Sequence, residues 1–165
     1  MAAAIWRPMA AADLDAVEAI AAAVHPAYPE RREIPAERLR LHPAGCLVLA
    51  GDGGIAGYVV SHPWRALDPP KLDTLLGALP ASPATHYLHD LALLPAARGK
   101  GAASAVVERL VRVGREAGLP TLSLVAVNRS APFWERHGFV AVRDPALEAA
   151  LASYDDDARF MVRAL

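Results

Sequence analysis

The most informative segment of this 165-residue chain is Arg98-Gly99-Lys100-Gly101-Ala102-Ala103. It follows an apolar, strand-like run that ends at Pro95, and it precedes a run of apolar residues at helical spacing. Two glycines let the backbone turn sharply, and the first turn of a helix offers amides without intrahelical partners at the positive end of its dipole. A corner of this kind between a strand and a helix predicts a binding site for phosphate or pyrophosphate.

Three phosphate-binding patterns compete for this segment. The nucleoside triphosphatase pattern, G-x-x-x-x-G-K-S/T, does not occur in the chain. The dinucleotide fingerprint fits weakly, because Ser104 stands where its third glycine belongs and the region near Leu119 is not acidic. The pattern Gln/Arg-x-x-Gly-x-Gly/Ala is matched in full by Arg98, Gly101 and Ala103.

Composition sets the class of protein. With 54% hydrophobic and 21% charged residues, the chain is too apolar for intrinsic disorder and predicts one domain over residues 1–165. The formal net charge of -1 argues against nucleic acid or an anionic membrane as a partner. No apolar run reaches the roughly 20 residues of a membrane-spanning helix. Cys46 is the single cysteine, which excludes an intrachain disulfide and favours the reducing cytoplasm.

Hydrophobic spacing predicts an α/β chain. The predicted helices lie between Asp13 and Pro26, at 33–41, at 71–76, from Ala102 to Gly118 and at 131–137. The predicted strands lie near the N-terminus and at 46–50, 55–60, 87–94, 122–127, 139–142 and 159–164. The strand, crossover helix and strand over 87–127 predict a right-handed parallel unit within a mostly antiparallel sheet. The proline-rich segment 64–85 is long for a connection and is a candidate substrate lid.

A resemblance extends beyond the glycine corner. In order, the chain carries Leu93-Leu94-Pro95, the corner at 98–103, Asn128, and Phe133-Trp134-Glu135-Arg136-His137-Gly138-Phe139. This set resembles the cofactor-binding half of the GNAT superfamily of acyl-CoA N-acyltransferases. The resemblance implies an α/β (α+β) fold with a mixed, mostly antiparallel sheet of about seven strands, one splayed parallel pair and about four helices. It also implies N-acetyltransferase activity with acetyl-CoA as co-substrate.

The resemblance places acetyl-CoA in a V-shaped opening between the strands that end at Leu94 and Val127. The pantetheine arm would pair with backbone near Leu91 and Leu93. This placement is physically sound, because splayed strands leave amide and carbonyl groups that an extended chain can satisfy as a substitute strand.

The remaining cofactor contacts also follow from the resemblance. The pyrophosphate would lie against the amides of Arg98, Gly99, Lys100, Gly101, Ala102 and Ala103. Asn128, at the mouth of the opening, would contact the cofactor arm, although asparagine is also a common turn residue. Phe133 and Trp134 complete the predicted cofactor site.

Acetyl transfer needs a base that takes the proton of the amine, directly or through water. His89 is the first candidate, because imidazole titrates near neutrality and the strand faces the proposed thioester. It resembles in position a histidine of arylalkylamine acetyltransferases. Alternation along the strand puts Tyr87 on the same face and Asp90 on the opposite face, and it also separates His86 from His89, so no metal site is expected. His89, Asp90 or water remains the expected base.

Trp134 stands where many GNAT enzymes carry a tyrosine that protonates the CoA sulfur. Indole cannot do this at neutral pH. Tyr87, Tyr154 or solvent is left as the donor, or else the chain is a slow or non-catalytic acyl-CoA-binding module that acts as a sensor or assembly element. The expected acceptor is an amine of a small molecule or a peptide. The resemblance also allows a homodimer through the strand near Met161.

Overall fold

One mixed sheet runs through residues 3–165, the part of the chain that the computed structural model describes. Its strands are β1 (Ile5–Pro8), β2 (Cys46–Gly51), β3 (Gly54–Trp64), β4 (Thr85–Leu93), β5 (Thr121–Ala126), β6 (Val140–Ala141) and β7 (Arg159–Ala164). They lie in the order β1-β2-β3-β4-β5-β7-β6. Only β4 and β5 pair in parallel. The predicted sheet of about seven strands with one parallel pair is confirmed.

Helices cover both faces of the sheet. They are α1 (Leu14–Val24), α2 (Glu33–Leu41), α3 (Ala102–Glu116), α4 (Ala131–Arg136) and α5 (Pro145–Leu151). The apolar stripe of α3 packs on one face, where Val106 and Leu110 meet Leu88 and Leu124. On the other face, Val17 of α1 belongs to a second buried cluster together with residues of β2, β3 and β4. The sheet is therefore the middle layer of three.

The fifth helix, α5, was not predicted. Asp144 caps it, since its side-chain Oδ1 accepts a hydrogen bond from the amide of Ala146 at 2.8 Å, and Pro145 fits the first helical position. Leu147 is buried beside Leu151 against the sheet. This capping pattern and the spacing of the two leucines were the available signals for a helix.

The predicted helix at 71–76 is wrong, because side chains take its backbone amides. The amide of Asp73 donates to Glu30, and Asp73 itself has a positive φ of 56°. The amides of Leu76 and Gly77 donate to the two carboxylate oxygens of Glu37 at 2.7 and 2.9 Å. These amides are bound to α2 and to the loop before it instead of to carbonyls of their own turn.

The parallel pair β4–β5 separates early. Its register runs only from His86 opposite Leu122 to Leu88 opposite Leu124, although β4 continues to Leu93. On its other side β5 stays paired with β7 along its whole length. The second half of β4 therefore diverges from β5 and leaves an opening at that edge, as predicted.

Irregular pairing also marks the middle of β4. Val60 of β3 lies opposite Asp90 and the next residue, Ser61, lies opposite Leu88, so His89 is an extra residue without a partner on β3. This is a β-bulge, which interrupts alternation and re-aims side chains. Among residues 3–165, no helix is both long and apolar enough to cross a bilayer.

Candidate active site

A cleft of about 500 Å³ lies in the opening between β4 and β5. It is bordered by β4, the corner before α3, and α4. Nine of the predicted cofactor-binding residues line it: Leu91, Leu93, Arg98, Gly99, Gly101, Ala102, Ala103, Phe133 and Trp134. The predicted residues Lys100 and Asn128 lie outside this lining. We call this space the cofactor cleft.

The corner at the start of α3 depends on backbone conformation. Gly101 precedes the helix with a φ of 82°, a region that residues with a Cβ rarely adopt. The first helical bond is donated by the amide of Ala105 to the carbonyl of Gly101. The amides before Ala105 belong to the first turn of α3, which has no intrahelical acceptors for them. Arg98 is fixed beside the corner by its bond to the carbonyl of Leu93 at 3.1 Å.

A second cavity, of about 490 Å³, lies on the other side of β4 under α1 and the loop from α1 to α2. Both His89 and Asp90 line it, so the predicted orientation of Asp90 to the opposite face is wrong. The β-bulge at His89 is the physical reason, because it interrupts the alternation on which that prediction rested. We call this space the acceptor cavity.

His89 is held by a carboxylate. Its Nε2 lies 2.8 Å from Oε1 of Glu30, and its side chain is 3% exposed. The other ring nitrogen, Nδ1, is buried and has no hydrogen-bond partner within residues 3–165. In the tautomer that donates Nε2–H to Glu30, the lone pair of Nδ1 is free to accept a proton. Glu30 is fixed in turn by the amide of Asp73 at 3.0 Å.

Asp90 forms a second polar group beside His89. Its Oδ1 lies 3.1 Å from Nε2 of His25, and its Oδ2 accepts a hydrogen bond from the hydroxyl of Tyr58. Burial raises the pKa of Asp90, but the His25 hydrogen bond and charge outweigh it and the net pKa is lowered. Burial lowers the pKa of His25, yet Asp90 raises it more, so the net pKa is raised. Asp90 and His25 therefore favour an ion pair.

The two spaces meet at His25. Val24 lines the cofactor cleft and His25, the next residue, lines the acceptor cavity; on β4 the same is true of Leu91 and Asp90. Nε2 of His25 lies 3.4 Å from the carbonyl oxygen of Leu91. The other ring nitrogen of His25, Nδ1, lies 3.0 Å from the side-chain amide nitrogen, Nδ2, of Asn128.

Sequence comparison identifies the family of this chain. A sequence profile described as the acetyltransferase (GNAT) family matches residues 12–139, more than half of the chain. The chain belongs to the GNAT acetyltransferase family. No curated protein matches this GNAT chain in sequence.

Solved structures share the GNAT fold of this chain. Ard1 from Thermoplasma volcanium matches with a TM-score of 0.75 at 17% identity, covering 99% of each chain. The loading GNATL domain of CurA from Lyngbya majuscula matches with 0.78 at 15% identity, covering 98% of this chain and 97% of that one. The GNAT-like decarboxylase GphF, in complex with isobutyryl-CoA, matches with 0.73 at 23% identity, covering 97% and 98%. These likenesses establish the fold.

Asn128 and Tyr87 are not among the residues that line the two spaces. Asn128 has a positive φ of 55° just after β5 and contacts His25 beside the junction, and its cofactor-binding role stays a prediction. Tyr87 is 1% exposed and packs with Trp64 and Phe160, behind His89 and outside the lining of both spaces. Burial raises its pKa well above the ordinary value. The catalytic role of Tyr87 stays a prediction.

Trp134 of this GNAT chain is packed into the wall of the cofactor cleft. Its indole Nε1 donates to Oγ of Ser130 at 3.2 Å, and its ring meets Phe133 and Phe139 edge to face. Burial raises the pKa of Cys46 to about 12, so this thiol is protonated at neutral pH. Among residues 3–165, no three metal-binding side chains lie close enough to hold a metal ion.

Sequence reasoning missed three residues of the site: His25, Glu30 and Tyr58. The segment from His25 to Glu30 combines a histidine, a tyrosine and a glutamate with two prolines. A proline-rich loop that carries several titratable side chains was the available signal. For Tyr58 there was no signal, because its role comes from its position opposite β4.

Proposed function

We propose that this GNAT chain transfers an acetyl group from acetyl-CoA to a primary amine by direct attack in a ternary complex. The observation that carries the proposal is the contact between the two spaces at His25, where the β4 residues Leu91 and Asp90 face opposite sides. An arrangement of this kind lets a donor and an acceptor react without a covalent intermediate on the protein.

The cofactor cleft supports a CoA thioester as the donor. The unpaired half of β4 offers backbone groups to the two amides of pantetheine, and the corner at 98–103 offers amides to the pyrophosphate. Arg98 and Arg136 add positive charge along the lining. The relative GphF was solved with isobutyryl-CoA, which favours a CoA-type co-substrate here as well. Acetyl-CoA would supply the activated acetyl thioester.

The acceptor cavity supports the proton chemistry. His89 takes the proton that the attacking amine loses, and Glu30, whose Oε1 lies 2.8 Å from Nε2 of His89, stabilises the imidazolium that results. Asp90 and Tyr58 hold His25 at the junction, where the imidazolium that Asp90 stabilises is our candidate acid for the departing sulfur. This assignment fills the role that Trp134 cannot perform.

Two measurements test the proposal. Calorimetric titration with acetyl-CoA is expected to show micromolar binding, and release of free thiol is expected on adding primary amines. Binding without thiol release over a broad amine panel would favour the alternative function, a CoA-binding sensor or assembly module, which the tryptophan at position 134 supports. Absence of binding at millimolar acetyl-CoA would contradict both functions. Cytoplasmic location and homodimer formation stay predictions.

A further inference from the structure

We infer that Asp73 is a positioning residue, which holds the carboxylate of Glu30 in the orientation that contacts His89. Asp73 lies in the proline-rich 64–85 segment, for which the sequence suggested the role of a substrate lid. The inference rests on the proposed function, because it concerns the histidine that takes the proton of the amine. It gives the 64–85 segment a role in fixing the site instead of closing it.

The first step is that both carboxylate oxygens of Glu30 are bonded. Oε1 lies 2.8 Å from Nε2 of His89, and Oε2 accepts a hydrogen bond from the backbone amide of Asp73 at 3.0 Å. A glutamate that is held at one oxygen can still rotate about its last side-chain bond, because that torsion has broad minima. Holding the second oxygen fixes the plane of the carboxylate. The bond from Asp73 therefore sets the orientation in which Glu30 meets His89.

The second step is a reciprocal contact that holds Asp73 itself. Its Oδ1 accepts a hydrogen bond from the backbone amide of Arg31 at 2.8 Å. The guanidinium of Arg31 donates to Oδ2 of Asp73 at 3.1 Å and to its backbone carbonyl at 3.2 Å. The hydrogen bond from the Arg31 amide lowers the pKa of Asp73, so this carboxylate is ionised at neutral pH. Glu30 and Arg31, which are neighbours in the chain, are thus both bonded to Asp73.

The third step is the backbone on the far side of Asp73. Asp73 has a φ of 56°, a region that aspartate adopts more readily than most residues with a Cβ. A few residues later, the amides of Leu76 and Gly77 donate to the buried carboxylate of Glu37 on α2 at 2.7 and 2.9 Å. The stretch 73–77 is therefore tied both to α2 and to the loop before it. Its bonds make it a fixed support for Glu30.

The variant Asp73→Gly tests the inference. Glycine accepts the positive φ without strain, so the variant removes the carboxylate that binds Arg31 and adds no steric clash. At saturating acetyl-CoA and amine, kcat is expected to fall about tenfold, because Glu30 loses its fixed orientation at His89. The Kd for acetyl-CoA should change less than about twofold, since Asp73 does not line the cofactor cleft.

The matched control is Asp68→Gly in the same segment. Asp68 is exposed and its carboxylate bonds to Nε of Arg65 at 2.8 Å, so this variant also adds a glycine and breaks an aspartate–arginine pair. The pair lies within the segment and does not involve Glu30, and kcat should stay within about twofold of the wild type. Asp73→Asn should restore kcat to within about threefold of the wild type, because asparagine keeps the acceptor oxygen and tolerates a positive φ.

A double-mutant cycle separates an effect through Glu30 from a general loss of structure. The Glu30→Ala protein has no carboxylate to orient, so adding Asp73→Gly should change its kcat less than about twofold. A tenfold loss in both backgrounds would overturn the inference, because the effect would then not pass through Glu30. Wild-type kcat for Asp73→Gly alone would overturn it as well.

A measurement without turnover separates this inference from the proposed function. The NMR signals of the His89 ring nitrogens, assigned by their loss in His89→Gln, are expected to shift in Asp73→Gly and to stay in place in Asp68→Gly. If the wild type releases no thiol with any amine but the signals shift in this way, the transferase function fails while the positioning of Glu30 by Asp73 stands. Unchanged His89 signals in Asp73→Gly overturn the positioning role whatever the turnover.

Discussion

The cofactor cleft and the acceptor cavity share β4, but their other lining residues come from different parts of the chain. The cleft is lined mainly by residues of two chain segments, 91–104 and 130–136. The acceptor cavity consists of side chains from α1, its following loop, β3 and β4, and its central pair, His89 and Glu30, is 59 residues apart. A site formed by two short chain segments is encoded locally, whereas a site formed by side chains from distant elements depends on how the whole chain folds.

The two spaces also carry opposite charge. The cofactor cleft is lined by Arg98 and Arg136 and by no carboxylate. The acceptor cavity is lined by Glu18, Glu30 and Asp90 and by no lysine or arginine. This division suits an anionic carrier on one side of β4 and a cationic amine on the other. Variants on each side should therefore change separate measurements: binding of the carrier, or turnover of the amine.

The largest effect is expected on the acceptor side, from His89→Gln. Glutamine cannot take the amine proton, so kcat should fall by about 10²–10⁴-fold. The Kd for acetyl-CoA should stay within about twofold, because His89 does not line the cofactor cleft. Steady-state kinetics and calorimetry measure the two quantities. Glu30→Gln should lower kcat less, since an amide keeps the hydrogen bond and loses the charge. If the His89→Gln variant kept the wild-type kcat, the role of the base would have to be assigned to Asp90 or His25.

The next effect is expected on the cofactor side, from Gly101→Glu. A side chain at this φ of 82° is strained, and a carboxylate beside the corner repels phosphate. The Kd for acetyl-CoA should rise about 100-fold. Gly54→Glu is the control, because Gly54 has a φ of 100° in the β2–β3 turn, away from both spaces. Equal weakening of binding by both variants would mean that strain alone is responsible and that the corner holds no phosphate.

The same difference explains what the sequence could reveal. The corner at 98–103 was predictable because glycines and helix starts are local signals, and the positions of the strands along the chain followed from hydrophobic spacing. Glu30 and His25 could not be placed, because their partners lie on strands more than 50 residues away. The orientation of Asp90 depended on a bulge that exists only in the register of β4 against β3. The prediction of a helix at 71–76 was wrong because the carboxylate of Glu37, on α2, accepts the hydrogen bonds of the Leu76 and Gly77 amides.

A third effect concerns stability and its pH dependence, through Asp90→Asn. Because the pKa of Asp90 is lowered, its stabilisation is present above about pH 3.9 and is lost as pH falls through the folded pKa. Because the pKa of His25 is raised, its stabilisation is present below about pH 6.5 and is lost as pH rises through the folded pKa. The free energy of unfolding of the Asp90→Asn variant should be about 1–3 kcal/mol lower than that of the wild type between about pH 3.9 and about pH 6.5. Outside this range the difference should be smaller.

Asp13→Asn is the control for this dependence of the unfolding free energy on pH. Asp13 is buried, its pKa is lowered, and it accepts two hydrogen bonds from Arg7 at 2.8 and 2.9 Å. Arginine does not titrate in this range, so the loss in unfolding free energy should not decline above about pH 6.5. Denaturant unfolding at several pH values measures both curves. Parallel curves for the two variants would mean that His25 is not the partner that stabilises Asp90.

The smallest effect is expected from Trp134→Phe in the wall of the cofactor cleft. Phenylalanine keeps the ring contacts with Phe133 and Phe139 and loses the hydrogen bond to Ser130, which should cost about 1 kcal/mol of stability. Both kcat and the Kd for acetyl-CoA should change less than about threefold, because the proposed proton carriers, His89 and His25, do not line the cofactor cleft. A loss of kcat above about 100-fold, with the Kd unchanged, would assign proton transfer to the cofactor side and contradict the division between the two spaces.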